Sequence, residues 1–436
     1  MAEDRAASHR SPARSGALQR SREVKGLGWV GSEFEVTVGP VAHGGHCVAR
    51  HEGRVVFVRH SLPGERVVVR VTEDRHPGFC RADAVQVLEA SAERMERPCP
   101  YSGPGKCGGC DWQHVVPAEQ RRLKAAVVRE QLARVAGLDD VPVTVEELPG
   151  GPLRWRSRAR FAVDRTGAAG LRKHRSHDVV VLDDCPITVE PAAAAVLRRR
   201  WPGAGAVDVS IDSTGAVTTT RLDRRGRPTS SRVVRPGGDL PEEPVGRAAR
   251  RAAGRDWEVE GTGFWQVHPA AADALVAAVA GFAEARPGDT VLDLYAGAGL
   301  FGGALAPTVG PEGRVVCVEA DPAACAAADA NLAALPHAEV WQGDVDAGGL
   351  AELLGELGTP DVVVLDPPRA GAGRAVSELL AGTGARAVVY VACDPAALAR
   401  DVAAFGAAGY RLAAVRGFDA FPMTAHVECV ALLVPA

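Results

Sequence analysis

Residues 361–369 read D-V-V-V-L-D-P-P-R and residues 387–395 read A-V-V-Y-V-A-C-D-P. Each is a short apolar run, rich in β-branched residues, that ends in a polar side chain followed by proline. Buried parallel strands look like this where they deliver side chains at their carboxyl ends. In open α/β sheets that edge is where ligands sit. The first run delivers Asp366, Pro367, Pro368 and Arg369; the second delivers Cys393 and Asp394. A thiol at such an edge is a nucleophile candidate.

The sequence around these runs alternates strands with helices from about Asp256 onward, which predicts a doubly wound α/β domain over 256–436. A helix is expected over Ala270 to Ala285, followed by T-V-L-D-L-Y-A-G-A-G-L-F (290–301). A strand carrying Asp293 and then Gly297-x-Gly299 is a nucleotide-binding turn, although it lacks the full dinucleotide fingerprint. The next strand ends in Glu319, about 20 residues beyond the glycines, where an acid can accept hydrogen bonds from ribose hydroxyls. V-W-Q-G-D (340–344) then offers Asp344 to an adenine amino group. Together these describe a class I S-adenosylmethionine site.

Ahead of this domain the chain is different in kind. Its 436 residues predict more than one core. No apolar run reaches the roughly 18 residues that a membrane span requires. Residues 1–22 are polar and Arg/Ser-rich, unlike a secretory signal, so the cytoplasm is the expected compartment. Residues 1–200 carry 32 Lys and Arg against 25 Asp and Glu, whereas the rest carry 18 against 29. A basic front half suggests a polyanionic partner. After a tail over 1–27, expected to be disordered, residues 28–91 show five short strands with Gly and Pro between them, the pattern of a small β-barrel. With G-G-H-C-V-A-R (44–50) and L-P-G-E-R-V-V-V-R-V (62–71), it resembles a TRAM domain, an OB-like RNA-binding module.

Residues 92–255 read as a central α+β domain. Cys99, Cys107 and Cys110 lie in a Gly/Pro loop, and Cys185, in L-D-D-C-P, is the later cysteine in similar company. Ten cysteines in a cytosolic chain are not read as disulfides. Four converging thiolates suit zinc or an iron–sulfur cluster. An amphipathic helix is expected from Pro117 to Ala136. Strand periodicity in L-R-W-R-S-R-A-R-F sets Arg154, Arg156, Arg158 and Arg160 on one face, with Arg172, Lys173 and Arg175 in a hairpin partner, an arrangement suited to phosphates. Residues 222–255 read as an exposed connection.

The chemistry follows from what the two strand ends carry. Amine-directed enzymes of this fold commonly place an aromatic after the D-P-P or N-P-P motif, where this chain has Arg369. Cys393 points instead to a carbon. Carbon-5 of uracil becomes nucleophilic once a thiolate adds at carbon-6. A base must then remove the carbon-5 proton, and F-P-M-T-A-H-V-E-C-V (421–430) supplies Glu428 with His426 nearby. F-W-Q-V-H (264–268), L-D-L-Y-A-G-A-G-L-F (292–301), D-P-P-R-A-G (366–371), C-D-P-A-A-L-A-R-D (393–401) and H-V-E (426–428) resemble the RNA uracil-C5 methyltransferases that act on ribosomal and transfer RNA.

The resemblance covers nearly everything after the tail. It implies S-adenosylmethionine bound by Gln266, Tyr295, Glu319 and Asp366 with help from Asp344, Cys393 as nucleophile and Glu428 as base. It also implies a 4Fe-4S cluster on Cys99, Cys107, Cys110 and Cys185, as in the ribosomal-RNA branch. Asp394 stands where the family commonly has Asn and is expected to raise the thiol pKa by like-charge repulsion. His268 also replaces a common Asn, and Cys99 and Cys107 are further apart than usual. The expected activity is methylation of uridine carbon-5, most readily in large-subunit ribosomal RNA, with no membrane and no obligate protein partner. The alternatives are transfer-RNA uridine-C5 or ribosomal-RNA cytosine-C5 methylation, or a non-catalytic RNA-binding protein on the same fold.

Overall fold

The computed structural model describes residues 26–235, 246–261 and 263–436. The expected tail lies outside the described residues except for its last two. Strands Glu33–Thr37, Cys47–His51, Arg54–Arg59, Arg66–His76 and Phe79–Glu89 form one sheet, in which the long fourth and fifth strands pair antiparallel at its centre. Val56, Val58, Val67 and Val69 are fully buried on its inner face, because strand alternation sends every second β-branched side chain inward.

A second sheet follows the order Pro228–Val234, Val217–Leu222, Ala206–Ile211, Arg158–Val163, Ala169–Arg172, Val179–Val181. Trp155, Phe161, Ile187, Val207 and Val209 form its core. Two expectations need correction here. The arginine strand starts only at Arg158, because Arg154 adopts φ +57° and binds Asp184, and Arg156 bridges to Thr188 instead. Residues 222–255 are not a mere connection. Pro228–Val234 is an edge strand, where a leading proline is tolerated. Arg247–Ala252 pairs with Arg255–Glu260 in a two-stranded ribbon that buries Ala248, Arg250, Trp257 and Val259. Gly, Pro and Arg dominate the composition of this stretch and hide its alternation.

The largest sheet has eight strands in the order Ala338–Gln342, Arg314–Glu319, Thr290–Leu294, Val362–Leu365, Ala387–Ala392, Glu428–Pro435, Tyr410–Phe418, Val145–Glu146. The first five are parallel, and Glu428–Pro435 runs antiparallel to both of its neighbours. Helices cover both faces, so the central strands read as continuous apolar runs. The expected helix over 270–285 spans Ala271–Ala283. Among the described residues no helix is long and apolar enough to cross a membrane.

Residues ahead of 256 also enter this layer. Helix Pro117–Ala136 begins with proline in its first turn and stops at Gly137, which takes φ +68°. Its Ala125, Val128 and Leu132 pack into the core of the large sheet. Lys124, fully buried, lies 2.5 Å from Asp419 and donates to the Phe421 carbonyl at 3.0 Å. Burial opposes the ammonium charge and Asp419 supports it. Lys124→Met is therefore expected to strand a buried carboxylate and cost about 3–5 kcal/mol. Lys124→Met/Asp419→Leu is expected to recover most of that loss, as read from urea denaturation midpoints. A single variant as stable as the wild type refutes the pairing.

Candidate active site and thiol cluster

The carboxyl edge of the parallel strands gathers two groups of side chains. Around the first, Thr290–Leu294 leads into Tyr295, which takes φ +61°, and then Gly297 and Gly299, both also left-handed. Asp293 is fully buried and accepts the Gly302 N–H at 2.7 Å, tying the following helix to the strand. Burial pushes it up to about 7. Glu319 accepts the Gly297 N–H at 2.9 Å and the Asp321 N–H at 2.8 Å, so its carboxylate lies across the glycine turn. Asp344 helps to line a cavity of about 160 Å³ with Trp341, Val345, Leu294 and Val318. The Tyr295 hydroxyl donates to the Val345 carbonyl at 3.3 Å.

The second group is set by strand register. Ala392 pairs with Cys429 across an antiparallel ladder. One position beyond that last pair come Cys393 and Glu428, close enough for the Glu428 charge to act on the thiol, and Asp366 leaves the adjacent strand Val362–Leu365. Burial first, then the charges of Glu428 and Asp366, pushes the Cys393 thiol up to about 11, while Arg369 pulls it down. Glu428 rises well above the carboxylate range through burial and then Asp366, with Arg369 again opposing. Asp366 is pushed up to about 7 by burial and by Asp293. Three acids thus crowd a low-dielectric corner, and the Arg369 guanidinium brings positive charge to it.

Asp394 does not act as expected. One of its oxygens accepts the Ala397 N–H at 2.8 Å, capping helix Pro395–Ala407, and the other meets His43 Nε2 at 3.0 Å. Burial works against its charge, yet the His43 and Ala397 bonds hold it below the ordinary carboxylate value. The rise of the neighbouring thiol comes from burial, Glu428 and Asp366 instead.

Several supporting residues carried no role in the sequence reading. Asp401 accepts the Tyr390 hydroxyl at 2.5 Å and the Ala372 N–H at 2.8 Å, pinning the loop that follows Asp366-Pro-Pro-Arg. The loop leading to Glu428 is held by Gln120, which accepts the Met423 N–H at 2.7 Å, and by the Trp112 N–H, which reaches the Met423 carbonyl at 3.0 Å. These contacts span about 300 residues of sequence and leave no local pattern.

Gln266 is half-buried in the segment joining the ribbon to helix Ala271–Ala283. The Val267 carbonyl accepts both the N–H and the hydroxyl of Ser157, at 2.8 and 2.7 Å. His268 is buried, and its ring stacks on Trp155. Phe264 is 69% exposed, unusual for an aromatic, and that exposure could be found only in three dimensions. Val267 also lines a cleft of about 340 Å³ with Arg156, Arg158, Arg160, Asp208 and Ser210. Arg160 is clamped to Asp208, leaving Arg156 and Arg158 without a carboxylate partner among the described residues.

The four candidate ligand cysteines form a further group, whose loop meets this edge where Asp111, next to Cys110, accepts the Ala425 N–H at 3.2 Å. Cys99, Cys107 and Cys110 each feel the charge of Cys185, so the four thiols share one region. The Gly109 N–H donates to Cys107 Sγ at 3.4 Å and Gln113 Nε2 to Cys110 Sγ at 3.3 Å. Burial pushes Cys107 up to about 11 and Cys110 higher still. Among the described residues no three His, Cys, Asp or Glu side chains are grouped so that they could hold a single metal ion.

Comparison with known proteins agrees with this arrangement. Residues 29–85 match the TRAM domain family, and residues 356–435 match the tRNA (uracil-5-)-methyltransferase family. A Streptomyces coelicolor protein named an uncharacterized RNA methyltransferase is 50% identical over 93% of this chain and 94% of its own length. A 23S rRNA (uracil(1939)-C(5))-methyltransferase of Pseudomonas aeruginosa is 32% identical over 92% of this chain and 94% of its own. A crystal structure of the Pyrococcus abyssi tRNA (uracil-54, C5)-methyltransferase with S-adenosyl-L-homocysteine covers 92% of this chain and 99% of its own. It shares the fold at a TM-score of 0.67, with 22% identity. With its N-terminal TRAM domain and its class I methyltransferase sheet, the chain belongs to the S-adenosylmethionine-dependent RNA (uracil-5-)-methyltransferases.

Proposed function

We propose that the enzyme methylates carbon-5 of a uridine in 23S ribosomal RNA through a covalent bond between Cys393 and carbon-6 of the base. The observation that carries this reading is the convergence of Cys393, Glu428 and Asp366 at one end of neighbouring strands, where the charges of Glu428 and Asp366 act on the thiol. Ribosomal RNA is favoured by the full-length likeness to the Pseudomonas enzyme, whose name specifies that substrate. Such a substrate places the enzyme in the cytoplasm. In this reading the barrel over 28–91 and the central module over 92–255 hold RNA, and residues 256–436 hold the methyl donor.

Gln266, Tyr295, Glu319, Asp344 and Asp366 bind S-adenosylmethionine, with Glu319 on the ribose and Asp344 at the adenine cavity. Arg156 and Arg158 take backbone phosphates at the cleft. The exposed Phe264 offers a stacking face to a base turned out of its strand. The Cys393 thiolate adds to carbon-6, and the electron pair moves to carbon-5 and the ring carbonyl. Carbon-5 then takes the methyl group as its bond to the donor sulfur breaks, and S-adenosylhomocysteine leaves. Glu428 accepts the carbon-5 proton, the ring double bond re-forms, and the thiolate leaves.

Cys99, Cys107, Cys110 and Cys185 would hold a 4Fe-4S cluster. The all-thiolate donor set and the N–H···S bonds to Cys107 and Cys110 fit that group. The four thiolates would be shared among several irons, so they would not need to crowd one ion as zinc would require. Held there, it would act structurally, tying the 99–110 loop to Cys185.

Three outcomes are expected. RNA carrying 5-fluorouridine at the target is expected to form a stable adduct on denaturing gels. Cys393→Ala should form none and lose activity by about a thousand-fold or more, and wild-type turnover by that variant excludes the mechanism. The single-turnover rate is expected to rise with pH between about 6 and 9, by about ten-fold per unit while thiolate is scarce. Both the thiol and Glu428 lie above their ordinary values, so raising pH populates the nucleophile and the base; a flat profile contradicts this assignment. Anaerobically purified enzyme is expected to absorb broadly near roughly 400 nm, a band that Cys110→Ser loses. A colourless protein with stoichiometric zinc refutes the cluster.

A further inference from the structure

One loop of the barrel, Ala42 to His46, reaches both strand ends that carry the proposed chemistry. His43 Nε2 lies 3.0 Å from Asp394 Oδ2, next to Cys393 in sequence. Two residues on, Gly45 lies so close to Ala425, three residues before Glu428, that a Cβ built on it would fall 2.5 Å from the Ala425 Cβ. Gly45 takes φ +81°, and its carbonyl accepts the Trp112 indole N–H at 3.1 Å. Trp112 in turn holds the Met423 carbonyl of the same approach loop. A module expected only to touch RNA is thus bolted to the carboxyl edge of the catalytic sheet.

The His43–Asp394 contact is more than surface decoration. The Asp394 carboxylate is committed at both oxygens, one to the N-terminus of helix Pro395–Ala407 and one to His43. Its orientation fixes the turn between Ala392, where the strand ends, and Pro395, where the helix starts. Cys393 and Asp394 are the two residues inside that turn. The groups facing His43 are Asp394, Glu130 and Arg134, and the last two pair with each other across one helical turn. The hydrogen bond that His43 donates to Asp394 is the leading cause that raises the His43 pKa, against the effect of burial. The pair is charged between the lowered Asp394 value and the raised His43 value, and above the latter a neutral imidazole carrying its proton on Nε2 still donates to Asp394, so the contact itself persists as pH rises.

We propose that His43 is a positioning residue of the methylation reaction: through Asp394 it couples the RNA-binding barrel to the turn that aims the Cys393 thiol. This rests on Cys393 being the nucleophile. Barrel docking and thiol placement then become one event, so RNA seated on the barrel meets an already aligned sulfur.

The test is a double-mutant cycle on the full-length enzyme with a 23S rRNA fragment, supported by S-adenosylmethionine titration calorimetry and thermal melts. His43→Ala is expected to lower kcat by about ten-fold, the effect of a slight misalignment, without changing S-adenosylmethionine affinity or Tm. His43→Lys, which keeps a cation, is expected to regain most of kcat. In an Asp394→Asn background, His43→Ala is expected to cost less than about three-fold, since contacting residues are not additive. Wild-type kcat in His43→Ala overturns the proposal. So does a rise in KM for RNA alone, which would make His43 a simple RNA contact, or a failure of His43→Lys to restore kcat. Cys393→Ala, run alongside, separates the two readings. If it stays active the nucleophile is wrong; if it is dead while His43→Ala is normal, only the coupling is wrong.

Discussion

The active edge depends on one antiparallel strand inserted beside a parallel sheet. Parallel strands can deliver only carboxyl ends to a common edge, and their helices must leave on either face. Glu428–Pro435 runs the other way, so its amino end arrives where Ala387–Ala392 finishes. That reversal brings a buried carboxyl to the same edge as the thiol without any loop spanning between them. The ladder's hydrogen bonds hold the spacing more tightly than side-chain contacts would, because a slip of one residue would turn Glu428 to the other face.

The same geometry explains why the corner is electrically expensive. Asp366 raises the pKa of both Glu428 and Cys393, Glu428 raises that of Cys393, Asp293 raises that of Asp366, and burial raises all three. Arg369 supplies the local counter-charge from the loop pinned by Asp401. An aromatic in its place would leave the corner without that relief, so the residue that argued against amine methylation in the sequence also has an electrostatic task in the structure.

Much of this was legible in the chain because parallel strands are written as apolar runs with punctuation. The Asp366 and Cys393 strand ends, the glycine turn before Glu319 and the barrel strands could all be placed from local pattern. What could not be placed depends on partners far away in sequence. Arg154 looked like the head of a strand until Asp184 drew it into a left-handed turn. Asp394 looked like a like-charge neighbour for the thiol until a barrel histidine and a helix N-terminus took its two oxygens. The ribbon over Arg247–Glu260 was masked by arginines that pair across strands, as Arg247 does with Glu258. Composition reads such stretches as solvated, whereas pairing makes them ordered.

Lys124 and Asp419 are 295 positions apart, and the ammonium has no water to fall back on. During synthesis the lysine emerges long before its counter-ion exists. Helix Pro117–Ala136 therefore cannot settle against the large sheet until almost the last residues have left the ribosome, and closing so long a loop is slow. Nascent chains of this enzyme should remain dependent on chaperones late into translation, and truncations that spare every catalytic residue on the C-terminal side should still fail to yield an autonomous methyltransferase fragment.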